Sequence, residues 1–413
     1  MDKPEIRIKD IDSHWTKFKM SDVIKDMYNG QTPYRGESSY WNGDINWISS
    51  GDLNRGIVLS STEKITKEGQ KSANLRLVPK GTMVIAITGL EAAGTRGNCG
   101  ILGIDTTMNQ SCMALFPDNE HLITPFLFQW YRKYSEELGI KLTQGTKQQS
   151  YNASIIKDIE LNLPLIEEQK VISNILTQFD KQLYDVSKRI LSLRQMKAAS
   201  LQSMYPKKGE NKPQIRFKGF DEPWEEKSLN DCLEISTERN TENKYGIYDV
   251  LSVSDDYGVM NQIELLGRSY AGKSVRNYGV LKEGQIVYTK SPLKSKPYGI
   301  VKYNNYQTGI ISVLYAIYNV KEGVSAEFIH YYFDPAWRLN DYLRPLVRKG
   351  AKNTMNISDE DALTGSVLIP SSFEEQQKIA YFFRTLDKQI SLEEQKLESL
   401  KRIKSACLDK MFV

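Results

Sequence analysis

The apolar residues of this chain fall into two long periodic stretches, with shorter alternating runs between them. Leu176, Phe179, Leu183, Val186, Ile190 and Leu193 follow one another at alternating steps of three and four. That ladder is the seam of a coiled coil, an apolar stripe that needs a helical partner. Phe383, Leu386, Ile390, Leu397 and Leu400 climb the same ladder near the other end, with Glu393 as its one polar break. Roughly 39 residues of helix make a rod of about 58 Å. Glu167 and Glu168 fall in the first turn of the first helix, where acids suit the dipole. Ser372 and Glu375 give the second the spacing of a capping box. The rest of the chain shows short β-like runs, Thr82–Ile87 and Gln285–Tyr288, each after a Lys-Gly or Glu-Gly turn, with others at Leu161–Leu163 and Ile310–Ala316. Helices are expected at Pro125–Glu137 and Ala326–Tyr342. This pattern predicts α/β domains with mixed or antiparallel sheets.

The chain is written twice. IRIKDIDSHW at Ile6–Trp15 returns as IRFKGFDEPW at Ile215–Trp224. EEQKVISNILTQFDKQL, from Glu167, is answered by EEQQKIAYFFRTLDKQI, from Glu374. Lys197 then matches Lys404, and Leu201 and Met204 match Leu408 and Met411. Each copy is a globular part followed by a long helix. Two such helices in one chain have a high effective concentration for each other. Antiparallel pairing within the chain, with the globular parts at opposite ends about a pseudo-two-fold axis, is therefore expected. The boundaries expected are 1–164 for the first domain, 165–206 for its helix, 207–214 for a linker, 215–370 for the second domain and 371–413 for its helix. PKKGENKP at Pro206–Pro213 has a linker's composition.

Composition narrows the class. Forty per cent hydrophobic and 26% charged residues in 413 suit a globular protein of several units. No apolar run is long enough for a membrane span, and the charged N-terminus has no secretory pattern. Four scattered cysteines (Cys99, Cys112, Cys232, Cys407) argue for a reducing cytoplasm and against a disulfide framework or zinc site. The net charge of +4 is modest, but Arg268–Lys302 holds eight basic residues against one acid, Glu283. Such a cluster gives the local positive field that phosphate binding needs; a solvated loop region would look the same.

Catalytic patterns are missing. The three histidines (His14, His121, His330) have no ligand spacing, and there is no phosphate-cradling or dinucleotide glycine loop. Asp334-Pro335-Ala336-Trp337 approaches an adenine-methyltransferase motif but lacks the second proline, and reads as a helix interruption. Asp255-Asp256 and Asp359-Glu360-Asp361 lack a nearby lysine in a nuclease arrangement. A non-catalytic chain without metal or cofactor is expected.

Gly145-Thr146-Lys147-Gln148, Ile159–Pro164, Glu168-Gln169-Lys170 and Phe179-Asp180-Lys181-Gln182 together resemble the signature of the specificity subunits of type I restriction–modification systems. The signature reappears as Gly350–Asn353, Val367–Pro370, Glu375-Gln376 and Leu386-Asp387-Lys388-Gln389. Gly30-Gln31-Thr32-Pro33, Tyr40–Ile45 and Ser50–Leu53 resemble the family's recognition domains; the second domain has no such equivalent. The resemblance implies two target recognition domains, each reading one half of a split, asymmetric double-stranded DNA target, with the paired helices fixing the gap. It implies two methyltransferase and two motor-nuclease subunits as partners. S-adenosylmethionine, ATP and magnesium would be used by those partners, not by this chain.

Base reading needs Arg or Lys for guanine and Asn or Gln for adenine, while phosphate contacts set position. In the first domain Lys147, Gln148, Gln149 and Asn152 lie on an acid-free loop, supported by Tyr34, Arg35 and Arg96. In the second, Arg348, Lys349, Lys352 and Asn353 lie on the equivalent loop, joined by Lys273, Arg276, Lys290, Lys294 and Lys296. A coiled-coil adaptor joining two protein-binding domains is a rival from another class, against which the basic, amide-rich loops count. A self-contained methyltransferase lacks its cofactor loop. A specificity chain of a different restriction architecture would look the same in sequence.

Overall fold

The computed structural model describes residues 4–6, 14–91, 94–142, 150–272, 274–290, 293, 296–349 and 355–412. The chain divides into two compact units, Met1–Lys188 with Gln395–Val413, and Arg189–Glu394. Among the described residues no helix is long and apolar enough to cross a membrane.

The first unit opens with β1 (Thr16–Lys19), α1 (Met20–Val23) and β2 (Ile24–Asn29). Then come β3 (Trp41–Ile48), β4 (Ile57–Val58), β5 (Glu63–Ile65) and α2 (Lys67–Ser72). Strands β6 (Met83–Ala86), β7 (Cys99–Leu102), β8 (Thr107–Met108) and β9 (Cys112–Pro117) precede α3 (Thr124–Lys141), α4 (Ala153–Lys157) and β10 (Glu160–Leu163). Helix α5 (Ile166–Ser203) follows. The main sheet has the order β2-β9-β6-β7-β4, and β5-β3-β8 forms a second. Strand β6 is central and wholly buried, which is why Met83–Ala86 reads as a continuous apolar run without alternation.

In the second unit β11 (Glu225–Ser228), α6 (Leu229–Cys232) and β12 (Leu233–Ile235) correspond to the opening of the first. Next are β13 (Leu251–Ser254), β14 (Gly258–Asn261), α7 (Gln262–Leu266) and β15 (Gly279–Leu281). Strands β16 (Ile286–Thr289), β17 (Ile300–Tyr303), β18 (Gly309–Ile311) and β19 (Tyr315–Val320) lead to α8 (Ala326–Phe333) and α9 (Ala336–Leu343). Strands β20 (Arg348–Lys349), β21 (Met355–Asn356) and β22 (Ser366–Ile369) precede α10 (Phe373–Met411). The sheet β12-β19-β16-β17 repeats the order β2-β9-β6-β7 of the first unit. A parallel bridge Val250↔Ile310 stands where β3 pairs parallel with β8. The second domain thus shares the core strand order of the first despite lacking its glycine and tryptophan motifs. Two expected elements are divided: the Ile310–Ala316 run turns at Ser312–Leu314, and Ala326–Tyr342 breaks at Asp334-Pro335, where proline cannot continue the hydrogen-bond ladder.

Each unit's core is closed by the end of the other copy's helix. In the first, Trp15 packs edge-on against Phe126 and Phe412, 6.0 and 6.4 Å between centroids. In the second, Trp224 meets Phe328 and Tyr205 at 5.6 and 5.8 Å. Tyr205 and Phe412 are equivalent residues of the repeat. The seam residues Leu176, Val186, Ile190, Phe383 and Leu386 are buried, and Phe179, Leu183, Leu193, Ile390, Leu397 and Leu400 half-buried. Glu393, the polar break, lies 3.1 Å from Arg189.

The glutamine of the Glu-Gln signature has one job in both units. Gln169 donates to the carbonyls of His121 (2.6 Å) and Pro164 (3.0 Å) and accepts from Ile123 N–H. Gln376 donates to Gly323 and Pro370 and accepts from Ser325 N–H. A buried amide with three partners fastens strand end, domain helix and long helix together. The expected capping box at α10 is half formed: Ser372 Oγ accepts from Glu375 N–H, but the Glu375 carboxylate is taken by Arg216.

Candidate nucleic-acid interface

In the first unit the ends of β2, β6 and β9 carry three segments to one end of the main sheet, where Ser150 and Tyr151 join them. Ile87 N–H donates to Ser111 O and Tyr151 N–H to Ile87 O, while Thr88 bridges Ser150. Gln31 N–H donates to Met108 O, and Thr32 Oγ1 meets Gln110 Oε1 at 2.5 Å. Gly30 allows this approach, because a Cβ there would stand 2.0 Å from the Met108 carbonyl oxygen. Residues 30–36, 87–91, 94–98 and 109–111, with Ser150 and Tyr151, therefore share one edge, as loops that carry binding residues on a rigid scaffold do.

The candidate side chains there differ in availability. Tyr34 is 74% exposed. Arg35 closes its fork on Glu63 (2.5 and 2.9 Å) and lies 4.0 Å over the Trp41 ring. Arg96 is a clamp: it donates to Leu90 O, Glu91 O and Glu136, and its own carbonyl accepts from Arg55. Its guanidinium is committed to closing the 90–96 loop against α3. Asn152 caps α4, accepting from Ile155 N–H. Lys147, Gln148 and Gln149 lie outside the described residues.

The second unit repeats the plan. Ser236 N–H donates to Ile317 O, Lys290 is paired with Asp359, and Tyr318 Oη donates to Asp359 O. Gly299, with φ of +88°, lets the chain fold back so closely that a Cβ would lie 1.8 Å from Thr289 O. The Arg344–Asn356 stretch contains a hairpin in which β20 and β21 pair Arg348 with Asn356. Arg348 and Lys349 lie on its first strand, while Lys273, Lys294, Lys352 and Asn353 fall outside the described residues. Arg276 is exposed and donates from Nε to Thr241 O.

Lys296 corrects the reading of the basic run. It is 8% exposed, with Nζ 2.7 Å from Asp255 and 2.9 Å from Asp334 O. Lys302 lies 3.3 Å from both Asp255 and Asp334, and Lys197 3.0 Å from Asp334. These lysines neutralise partly buried carboxylates and do not offer a free cation to a phosphate. Burial would raise the Asp334 carboxyl, but Lys197, Lys302 and Lys296 hold it well below the usual carboxylate range. His330 beside them is pushed down to about 3, by burial first and then by Lys302.

Lys296 and Arg96 occupy matching places: each anchors the base of the loop after the central strand to the domain helix behind it. Sequence reasoning missed the exposed residues of this edge in the second unit. Val313 and Leu314 are exposed there on the β18–β19 turn; beside α7, the exposed Tyr270 lies under the Arg268 guanidinium at 4.6 Å. An aromatic beside a basic residue, Arg268-Ser269-Tyr270, was the one available signal.

A family profile described as the type I restriction modification DNA specificity domain matches residues 12–193 and again 221–402. The chain belongs to that family. Specificity subunits of type I systems are generally not catalytic, and DNA target recognition is the function their domains imply. The chain is 27% identical over 246 residues to the type I restriction enzyme MjaIX specificity subunit of Methanocaldococcus jannaschii, covering 57% of this chain and 55% of that one. It is 26% identical over 166 residues to the EcoR124I/EcoR124II specificity subunit of Escherichia coli, covering 40% and 41%. The chain thus spans about half the length of these curated relatives. The crystal structure of a type I S subunit from M. genitalium superimposes with a TM-score of 0.62 at 15% identity, over 100% of this chain and 99% of that one, which establishes the shared fold. In this type I specificity chain the two profile matches fall on the two copies read from the sequence.

Proposed function

We propose that this chain is the targeting subunit of a type I restriction–modification complex. Each recognition domain reads one half of a bipartite, asymmetric DNA target through the loops gathered at one edge of its main sheet. The two long helices set the gap between the half-sites and dock methyltransferase subunits, two per complex, with two motor-nuclease subunits joining for cleavage. Methyl transfer from S-adenosylmethionine and ATP- and magnesium-dependent cleavage take place in those partners.

One observation carries the reading: the same strand order occurs in both units while the residues on the loop edge differ. Conserved scaffold with divergent edge is what two readers of different sequences require. Methylome sequencing of a host carrying the methyltransferase partner, with and without this chain, tests it. Adenine methylation at a single two-part motif, only when the chain is present, is expected. No motif from a demonstrably assembled complex would transfer the reading to a coiled-coil adaptor.

A further inference from the structure

Asp180 and Asp387 are equivalent residues of the internal repeat, and so are Lys197 and Lys404. They pair crosswise. In the first unit Lys404 of α10 donates to Asp180 of α5. In the second, Lys197 of α5 lies 2.8 Å from Asp387 of α10. The Lys404 side chain is 6% exposed and that of Lys197 19%. Each carboxylate also holds its own domain: Asp180 accepts from Arg132 (2.6 Å) and Gln129 (3.0 Å), and Asp387 from Tyr331 (2.9 Å). Three elements meet at each aspartate: a domain helix, the helix of the same copy and the helix of the other copy.

In an antiparallel pair of helices the numbers of facing residues add to a constant, and both pairs give the same total. They therefore belong to a single register. The apolar seam alone does not choose that register, because a ladder of threes and fours repeats every seven residues and stays apolar after a slip of seven. The charges do choose. Slipping one helix by seven sets Asp180 against Leu397 or Met411, and Asp387 against Ile190 or Met204. Asp180 keeps Arg132 after such a slip, but the buried Lys404 loses its carboxylate and Asp387 loses Lys197, an unfavourable exchange. Because each helix is continuous, a slip breaks both pairs at once, so either pair is enough to forbid it.

We propose that Asp180–Lys404 and Asp387–Lys197 are register keys, positioning residues that permit one register of the helix pair and so hold the spacer between the two half-sites to a single length. The proposal rests on the reading that the helices set that spacer. The keys touch no DNA; they act through the helices.

The test uses the full chain with its partner methyltransferase and reads the spacer of every methylated site. Three variants are compared: Asp180→Leu with Lys404→Met, Asp387→Leu with Lys197→Met, and all four together. Each two-residue variant keeps one key and is expected to methylate at the original spacer only. The four-residue variant is expected to keep both half-sites while sites of altered spacing rise roughly ten-fold or more, a non-additive response that plain loss of stability does not give. Should it fail to fold, Asn replaces Leu at both aspartates, which preserves acceptors for Gln129, Arg132 and Tyr331, and the same readout applies. A folded four-residue variant with one unchanged spacer overturns the proposal. A separate chain, with seven residues inserted in each helix, tests the underlying reading: about 10 Å of added helix corresponds to a spacer change of about three base pairs. An unchanged spacer there overturns the reading itself, whatever the keys do.

Discussion

Arg216 closes its fork on Glu375, Nε to Oε1 at 2.7 Å and Nη2 to Oε2 at 2.8 Å, in a pocket where the Glu375 side chain is 1% exposed. The arginine comes from the IRFKGFDEPW segment and the glutamate from the Glu-Gln signature, so the start of the second copy is joined to the head of its long helix by an enclosed ion pair. Trp224 Nε1, from the same segment, adds a long contact to the same oxygen at 3.4 Å. Removing one partner of such a pair strands a buried charge. Arg216→Ala is expected to cost about 3–5 kcal/mol of the second unit's stability, and Arg216→Lys to recover only part, because a point charge cannot make the two-pronged contact. Hydrogen-exchange protection in β22 and the start of α10 measures this; protection equal to that of the parent chain would show that the pair is dispensable.

Arg96 and Lys296 are loop clamps, and clamps have a different signature from phosphate contacts. Arg96→Ala is expected to weaken binding at the first half-site by about ten-fold through loss of loop order, and Lys296→Met to act likewise at the second. The slope of log affinity against log salt stays unchanged, whereas loss of a true phosphate contact lowers it by about 0.9. Fluorescence binding titrations at several salt concentrations separate the two outcomes, and a reduced slope would return Arg96 to the DNA surface.

Why the sequence led towards the surface for Lys296 is instructive. A run of basic residues shows that cations are locally dense, but says nothing of which way each side chain faces. The acids that claim Lys296 and Lys302 are Asp255, on the turn after β13, and Asp334, at the break between α8 and α9. Both are distant in sequence, and only tertiary packing brings them close. The helical seams were legible because a period of three and four residues is a local property. The crosswise pairing of Lys197 with Asp387 and of Lys404 with Asp180 used residues whose repetition was visible but whose contact was not. The likeness of the two domains was hidden for a related reason. Strand order is fixed by non-local pairing, and Gly30 with the Gln31-Thr32-Pro33 segment is one local solution to the approach of Met108, which the second domain replaces with other residues.

Base reading is expected from the segments just before Tyr151 and between β20 and β21. Gln148→Ala is expected to relax the first half-site alone and Lys352→Ala the second alone, each by about 1–3 kcal/mol of discrimination at one position. The methylated motif of each variant is the measurement. Equal weakening of both half-sites would mark the residue as a phosphate contact or a structural one.

His330 is expected to make the second unit acid-sensitive. Its imidazole is enclosed beside Lys302 and Lys197, with Nδ1 3.3 Å from Val301 O, and burial holds its pKa at about 3, far below the ordinary value of 6.5. A depressed folded-state pKa means that the unfolded chain binds the proton more readily. The stabilisation is therefore complete above about pH 6.5 and is lost as pH falls towards 3. Between those limits the unit should lose about 1.4 kcal/mol per pH unit on this account. Asp334, also held low, adds its own loss only below the ordinary carboxylate range, so the two contributions separate on the pH axis. Unfolding of His330→Phe followed from pH 7 to pH 4.5 should show most of that slope removed. A slope identical to the parent's would mean that the proton is taken up elsewhere.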